Sequence, residues 1–404
     1  MGEPRRAAFV FIFVTVVLDM VAMGMVIPVL PRLVVGFTGG DTRRGAEIFG
    51  VFGTVWALMQ FGLAPVLGSL SDRYGRRPVI LLSNFGLGFD YILMAMAPTL
   101  AWLFAGRVIS GITAASVPTA FAYIADVTPP EKRAQRFGWV SAAFGLGFVL
   151  GPALGGFLGG FHPRLPFWVA AGLSLANAMY GLFVLPESLA PAQRAPFRWA
   201  RANPLGALNL LRRHRELLGL AAVYFFFYLG HEVLPNVFVL YAGYRYHWGE
   251  RAVGFTLAAV GVCVALVQAA LIKPAVARLG ERRALLLGLL CGVAGFVIYG
   301  AAARGLWFWA GIPVMALWGF AGAAGQGLMT RHVAPSEQGQ LQGALQSLRG
   351  ITGLLGPGLF TQTFAMFLKT APGAPFFLAA GLLAVAFALA GRVTRPAPLS
   401  ATAA

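Results

Sequence analysis

The chain has 404 residues, 58% of them hydrophobic and 11% charged, with a mean hydropathy of +0.74. A soluble chain carries about a quarter charged residues, so these charges are too few to coat a globular surface, and the apolar residues come in blocks long enough to cross a lipid core. The formal net charge of +17 fits arginine gathered in short loops on one membrane face better than nucleic-acid binding, and Cys263 and Cys291 lie in apolar segments with no metal-ligand or redox spacing.

Windows of about 20 residues mark twelve apolar spans, near 7–30, 46–70, 78–97, 100–124, 136–158, 166–186, 217–242, 252–273, 284–302, 305–329, 339–365 and 374–392. The first follows Arg5 and Arg6 as a signal peptide would. Its apolar run is interrupted by Asp19, continues to Leu30 and offers no small-residue cleavage site, so it reads as a first transmembrane helix. Between the second and third spans lies GSLSDRYGRRPV (68–79), which packs Asp72, Arg73, Arg76 and Arg77 behind Gly68. Asp90 falls past the middle of the third span, Arg107 early in the fourth, and Asp126 near the inner end of the fourth. The fifth reads GLGFVLGPALGGFLGG (145–160), with Gly147, Gly151 and Gly155 spaced for close helix contact and Pro152 removing one backbone hydrogen bond. A Gly-x-x-x-Gly run without a preceding strand is no dinucleotide site.

Residues 187–216, with Arg194, Arg198, Arg201, Arg212, Arg213 and Arg215 among prolines, read as a linker. The expected division is a six-helix bundle over 1–190, a cytoplasmic linker over 191–216 and a second six-helix bundle over 217–404. In that second half His231 and Glu232 stand side by side in the seventh span, Asn236 follows them, Gln268 lies in the eighth, and Arg349 and Gly356-Pro357 lie in the eleventh. Beyond about Arg392 the chain reads as a loose tail. With the N-terminus inside, the outer loops hold only Arg32, Arg43, Arg44, Arg164, Arg245, Arg251, Arg304 and Lys369, and most other Lys and Arg residues fall inside. That excess puts both termini in the cytoplasm.

The halves repeat. A shift of 205 residues superimposes Gly75 on Gly280, Arg77 on Arg282, Trp102 on Trp307, and Gly151-Pro152 on Gly356-Pro357. Paired bundles of parallel orientation, with substrate between them near the bilayer midplane, are a common plan for secondary transporters.

Ionisable groups inside a membrane are expensive and face the interior or a cavity. For Asp19 and Asp90 the functional reading is a proton carrier whose contacts change with conformation, and the alternative is a static ion pair holding helices together. Arg107 serves either as partner to such an acid or as part of a structural pair. Asp126 fits pairing with loop arginines or a helix N-terminus. His231 and Glu232 point about 100° apart on a helix, so one can face the cavity while the other packs between helices. Arg349 either balances Glu232 or attracts an anionic group on a substrate. The matched Gly-Pro pairs read as hinges.

Four stretches together resemble the major facilitator superfamily, and within it the twelve-helix drug/proton antiporters of the tetracycline-efflux type. They are GSLSDRYGRRP (68–78), LDMVAMGMVIPVLP (18–31), RVISGITAAS (107–116) and GLGFVLGPALGG (145–156). The resemblance covers essentially the whole chain. It implies an all-α fold of twelve transmembrane helices in two pseudo-symmetric bundles. It also implies proton-coupling roles for Asp19, Asp90 and Arg107, gating roles for Gly68, Asp72, Arg73, Arg76 and Asp126, and a cavity position for Gln60 in ALMQFGLAP (57–65). The second half departs from that pattern. The positions where the resemblance implies a histidine and an acid are Val264 and Gly292, neither of which titrates, while His231 and Glu232 supply ionisable groups elsewhere. Glu281, in RLGERRALL (278–286), stands displaced from the place of Asp72.

The expected function is export of small amphipathic drugs in exchange for protons by alternating access, from a monomer in the inner (plasma) membrane. The alternative is a facilitator or proton symporter for a metabolite such as a sugar or organic acid. No GxxxxGK[ST] motif is present, so an ion gradient is the expected energy source. Partners are the small-molecule substrate, protons and lipid. No nucleic acid, cofactor or metal is expected, and the short loops and lack of a nucleophile–base set argue against an enzyme.

Overall fold

A computed structural model describes residues 3–113, 116–197, 199, 203–334 and 337–394. Arg198 and Arg201 of the linker, and the tail from Arg395, lie outside the described residues. Within them all regular structure is helical, as a lipid-embedded chain requires, because only a helix satisfies every backbone polar group inside its own segment.

Each of the twelve expected spans falls on helix, and the breaks between helices have local causes. The first divides into α1 (Glu3–Val26) and α2 (Leu30–Phe37), with Pro28 and Pro31 flanking the second start. Then come α3 (Thr42–Tyr74), α4 (Arg76–Met96), α5 (Leu100–Thr113), α6 (Ser116–Val127), α7 (Pro130–Gly159) and α8 (Leu165–Val184). In the linker the short α9 (Asn209–Arg213) leads into α10 (Arg215–His231) and α11 (Val233–Tyr246). The seventh span thus breaks at Glu232, where Pro235 has no N–H to give the His231 carbonyl. The rest is α12 (Glu250–Leu266), a π-helical turn at Val267–Leu271, α13 (Ile272–Ala301), α14 (Gly305–Ala316), α15 (Gly319–Thr330), α16 (Gln338–Phe367) and α17 (Ala374–Val393).

Among the described residues nine helices are long and apolar enough to cross a membrane, one of them the 52-residue run Glu250–Ala301. Straight, that run would extend roughly 78 Å at the helical rise, more than twice a hydrocarbon core. Gly280 breaks it, with φ 76° and ψ 160°. Gly75, between α3 and α4, has φ 108° and ψ 161°. These are the two glycines that the 205-residue shift superimposes, so the repeat is one of backbone geometry as well as residue type. Among the nine, the fourth and eleventh spans are absent: α5 is short, and Gln342, Gln346 and Arg349 lower the hydropathy of α16.

Within the first half α1 packs along α7 and α4 along α8, and within the second α13 packs on α15 and α17 and α10 on α17. The halves meet chiefly along two helix pairs, α3 with α16 and α7 with α12. Both pairs depend on small residues. A Cβ on Gly254 of α12 would stand 2.8 Å from the Gly156 Cα of α7, and one on Gly53 of α3 would stand 2.9 Å from the Pro357 Cβ of α16. Neither Pro152 nor Pro357 interrupts its helix. The linker is docked. Leu210 and Leu211 are buried with Leu217, Leu341 and Leu345, and Ser347 of α16 donates a hydrogen bond to the Pro204 carbonyl.

The paired glycines yield a stability test. A positive φ costs an L-residue about 1–2 kcal/mol, and a Cβ at Gly280 meets no other atom within 4 Å. Gly280→Ala therefore lowers the apparent melting temperature of the detergent-solubilised protein modestly. Gly75→Ala, whose Cβ would run into the Glu187 carboxylate, lowers it further.

Candidate functional site

The first half buries two carboxylates. Asp19 of α1 is 6% exposed, and the Asn177 side-chain amide of α8 donates to its Oδ1 at 3.0 Å and to the Thr15 carbonyl at 3.2 Å. Asp90 of α4 is 0% exposed; neither of its oxygens closes a hydrogen bond of ordinary geometry with a described residue, and Ser110 of α5 is a neighbouring donor. Asp90 packs where α5 approaches closely, so that a Cβ on Gly106 would lie 2.8 Å from its Oδ1. Arg107 is the next residue, yet the ion pair is not closed: its guanidinium lies 5.3 Å from the ring centroid of Trp56 on α3. Gln60, half-buried, is one helical turn from Trp56 on α3. Helices α1, α3, α4, α5 and α8 thus gather Asp19, Asp90, Arg107 and Gln60 into one bundle, with Asn177 as an added member.

In the second half the break at Glu232 turns its side chain onto Gly356 of α16. Asn236, one turn on, donates from Nδ2 to the Glu232 carbonyl at 2.8 Å and to its Oε2 at 3.2 Å. The His231 ring lies 5.6 Å from that of Trp318. Arg349 holds its guanidinium 5.2 Å from the Tyr228 ring centroid. Gln268 is exposed on the π-helical turn, a distortion that recurs at functional sites. Gly292 packs against Trp318 and Leu383, so an apolar interior fills the place where an acid was implied by resemblance.

At the face expected to be inner, Arg76 pairs with Asp72 and, at 3.2 Å, with Asp126. Ser188 donates to Asp126 at 3.0 Å. Glu187 accepts from the backbone N–H groups of Arg76 at 2.9 Å and Arg77 at 3.3 Å, so it holds the N-terminus of α4. Arg73 is exposed and stacks on Tyr74 at 5.0 Å. A Cβ on Gly68 would meet nothing within 4 Å.

The second half has a matching pair with opposite polarity. Glu281 binds Arg331 at 2.8 Å, and a shift of 205 residues carries Arg76 to Glu281 and Asp126 to Arg331. Glu281 therefore takes the place of Arg76 rather than a displaced Asp72. Arg77 donates to the Leu182 carbonyl at 2.6 Å and Arg282 to Thr394 at 3.2 Å, so each half ties this corner to its last helix.

At the opposite face the halves are joined. Arg32 pairs with Glu250 at 2.7 Å, and the Arg251 guanidinium lies 4.9 Å from the ring centroid of Phe161. Gly151 and Gly155 of α7 press on the α1 backbone beside Gly24 and Met25. At Gly147 the neighbour is Met20. Farther along α7, a Cβ on Gly145 or Gly138 would meet nothing within 4 Å. α1 stays against α7 there, through Phe13 with Trp139 and Phe9 with Arg136, whereas the glycine contacts of α7 with α12 do not continue, and the cleft between the halves lies toward that end. Asn177, Glu187 and Arg331 were not singled out from sequence. Glu187 lay in view within LPES (185–188), and the 205-residue shift would have led from Asp126 to Arg331.

The family model of the Major Facilitator Superfamily matches residues 12–357 and 220–403. The chain is 39% identical to "Tetracycline resistance protein, class C" of Escherichia coli, covering 94% of this chain and 95% of that one. It is 33% identical to the class D protein of Salmonella ordonez, covering 100% of both. Of solved structures, the human organic anion transporter MFSD10 (TETRAN) superposes with a TM-score of 0.67 at 26% identity, covering 96% of this chain and 100% of that one. The nucleoside transporter NupG superposes with a TM-score of 0.75 at 13% identity, covering 98% and 100%, a likeness of fold alone.

The inverted pair can be tested by charge reversal. Glu281→Arg sets two cations against each other and lowers the apparent melting temperature by several degrees. Adding Arg331→Glu restores it to within about 2 °C, in keeping with the roughly 1 kcal/mol of a partly exposed pair. A double variant no more stable than the single one would show that the pairing does not hold this corner.

Proposed function

This chain belongs to the Major Facilitator Superfamily, which makes it a membrane transporter and not an enzyme, and we propose that it exports small amphipathic drugs, tetracycline-like compounds among them, in exchange for protons. The curated relatives that support the substrate class are tetracycline resistance proteins matched over nearly their full length. In this reading the bundles 1–190 and 217–404 rock about the central cleft, with both termini in the cytoplasm and one chain as the working unit.

The observation that carries the coupling is the contrast between two buried acids. Asp19 is held by Asn177 at 3.0 Å, whereas Asp90 closes no hydrogen bond of ordinary geometry, with Ser110 and Arg107 at hand on α5. A carboxylate favours its charged form when a cation or donor reaches it and its neutral form when it is left in an apolar site. Helix movement that brings Arg107 to Asp90, or takes Asn177 from Asp19, therefore binds a proton on one side of the membrane and releases it on the other. Substrate moving outward from the cleft completes the cycle, and each ligand shifts the equilibrium only by its differential affinity for the two states. Glu232, with Asn236 as donor, is the corresponding acid of the second half.

The test is a drug-susceptibility panel in a host stripped of its own exporters, paired with proton fluxes in everted vesicles. The wild type confers resistance that an uncoupler abolishes. Asp19→Asn and Asp90→Asn each lose at least tenfold in resistance and in substrate-driven proton release, and Glu232→Gln slows that release. Substrate accumulating inside energised cells would instead establish the symporter. Proton release unchanged in Glu232→Gln would remove the second half from the coupling.

A further inference from the structure

Arg349 is the charge that the reading above leaves without work. Its neighbours on α16 fix the direction in which it points. Gly350 and Gly353 pack on Phe61 and Ala57 of α3, and Gly356, two turns on from Arg349, packs on Glu232 of the α10–α11 break. Leu345, one turn before, is buried with residues of α10. Arg349 therefore lies between the α3 side and the α10 side of its helix, and yet it is exposed. It opens into the cleft between the halves.

No salt bridge to a described carboxylate closes on it, although its charge acts on that of Glu232. Glu232 is one turn beyond Tyr228, but its carboxylate is held by Asn236, and the contact the guanidinium makes is with the Tyr228 ring. Tyr228 in turn packs on Tyr224, with centroids 4.5 Å apart. Past Tyr224 the wall continues as a narrow apolar crevice between α10 and α15, formed by Val223, Phe227, Ala321 and Gly322. A cation at membrane depth with no closed salt bridge is costly unless water or an anion reaches it. A guanidinium that rests beside an aromatic ring and closes no salt bridge has N–H groups to offer a carboxylate or sulfonate, which it takes with two parallel hydrogen bonds.

We propose that Arg349, on the platform of Tyr228 and Tyr224, is an anion-binding subsite that selects substrates with an anionic group on a flat apolar body. This deepens the drug-export reading and rests on it for direction of transport. It carries a consequence for energetics. Sending an anion out while a proton comes in moves two charges in the same electrical sense, so an inside-negative potential drives both. A monovalent cation exchanged one for one would move none.

The experiment measures binding to the purified full-length protein in lipid nanodiscs, using two probes that share one ring: 2-naphthalenesulfonate and (2-naphthylmethyl)trimethylammonium. The wild type binds the sulfonate at least tenfold more tightly than the ammonium. Arg349→Gln loses at least tenfold in sulfonate affinity and stays within twofold for the ammonium, while Arg349→Lys keeps part of the preference. Should Arg349→Gln not fold, Tyr228→Leu removes the platform and leaves the cation, with a fivefold or larger loss expected, whereas Tyr228→Phe stays within threefold of wild type. Equal binding of both probes, preference for the ammonium, or an unchanged sulfonate affinity in Arg349→Gln would overturn the subsite. Binding does not depend on transport, so sulfonate selectivity without proton-driven efflux would overturn the export reading and leave the subsite standing.

Discussion

The backbone of α7 lies against the backbones of α1 and α12 at once, and that double contact holds one end of the molecule shut. A Cβ on Gly24 of α1 would stand 2.9 Å from the Gly151 Cα, and one on Gly254 of α12 would stand 2.8 Å from the Gly156 Cα. In lipid, where burial of apolar surface gives helices no net attraction, close backbone approach is a main source of adhesion. Here it aligns the ends of α2, α7 and α12 so that Arg32 meets Glu250 and Arg251 meets Phe161. Because the glycine contacts stop short of Gly145 and Gly138, the other ends of α7 and α12 are free to stand apart while α1 stays on α7, and the cleft opens there.

Charges follow the same division. At the closed end, the Arg32–Glu250 ion pair and the Arg251–Phe161 contact join one half to the other. At the open end such contacts stay inside each half: Arg76 with Asp72 and Asp126, Glu281 with Arg331, and Arg77 and Arg282 each tied to the last helix of its own half. A corner braced within its own half can move as a piece, which is what rocking requires. The reversal of polarity between Arg76–Asp126 and Glu281–Arg331 preserves the brace while changing both residue types. Residue-by-residue comparison of the halves therefore understates how closely they repeat. Gly75 and Gly280 keep the same unusual backbone on either side of the repeat because no other residue adopts it without strain.

The fold was largely legible in the sequence, since lipid leaves a long apolar segment no choice but helix. The breaks were less so. Pro235 unwinds the helix at Glu232 three residues before itself, and no composition window marks that point. The linker was legible only as a basic connecting segment, because its arginines dominate the count, whereas Leu210 and Leu211 bury it against α16. Of the site, Asp19, Asp90, Arg107, Glu232 and Arg349 stood out because a charge in an apolar run is conspicuous. Asn177, which holds Asp19, is a neutral amide in an ordinary span and gave no such signal. Glu187 was read only as part of a connecting segment, because its role as the cap of α4 depends on two spans meeting at their ends.

Glycine contact along α7 and α12 closes one end of the protein and thereby holds the other open. Spin labels at Trp139 and Leu271, with Cys263 and Cys291 replaced by serine, report the separation of the open ends by double electron–electron resonance. In the wild type a long distance dominates. Gly156→Val, which denies α12 its seat, shifts the distribution toward a shorter distance as the closed end is forced apart and the open end comes together. A distribution in Gly156→Val identical to that of the wild type would contradict the account.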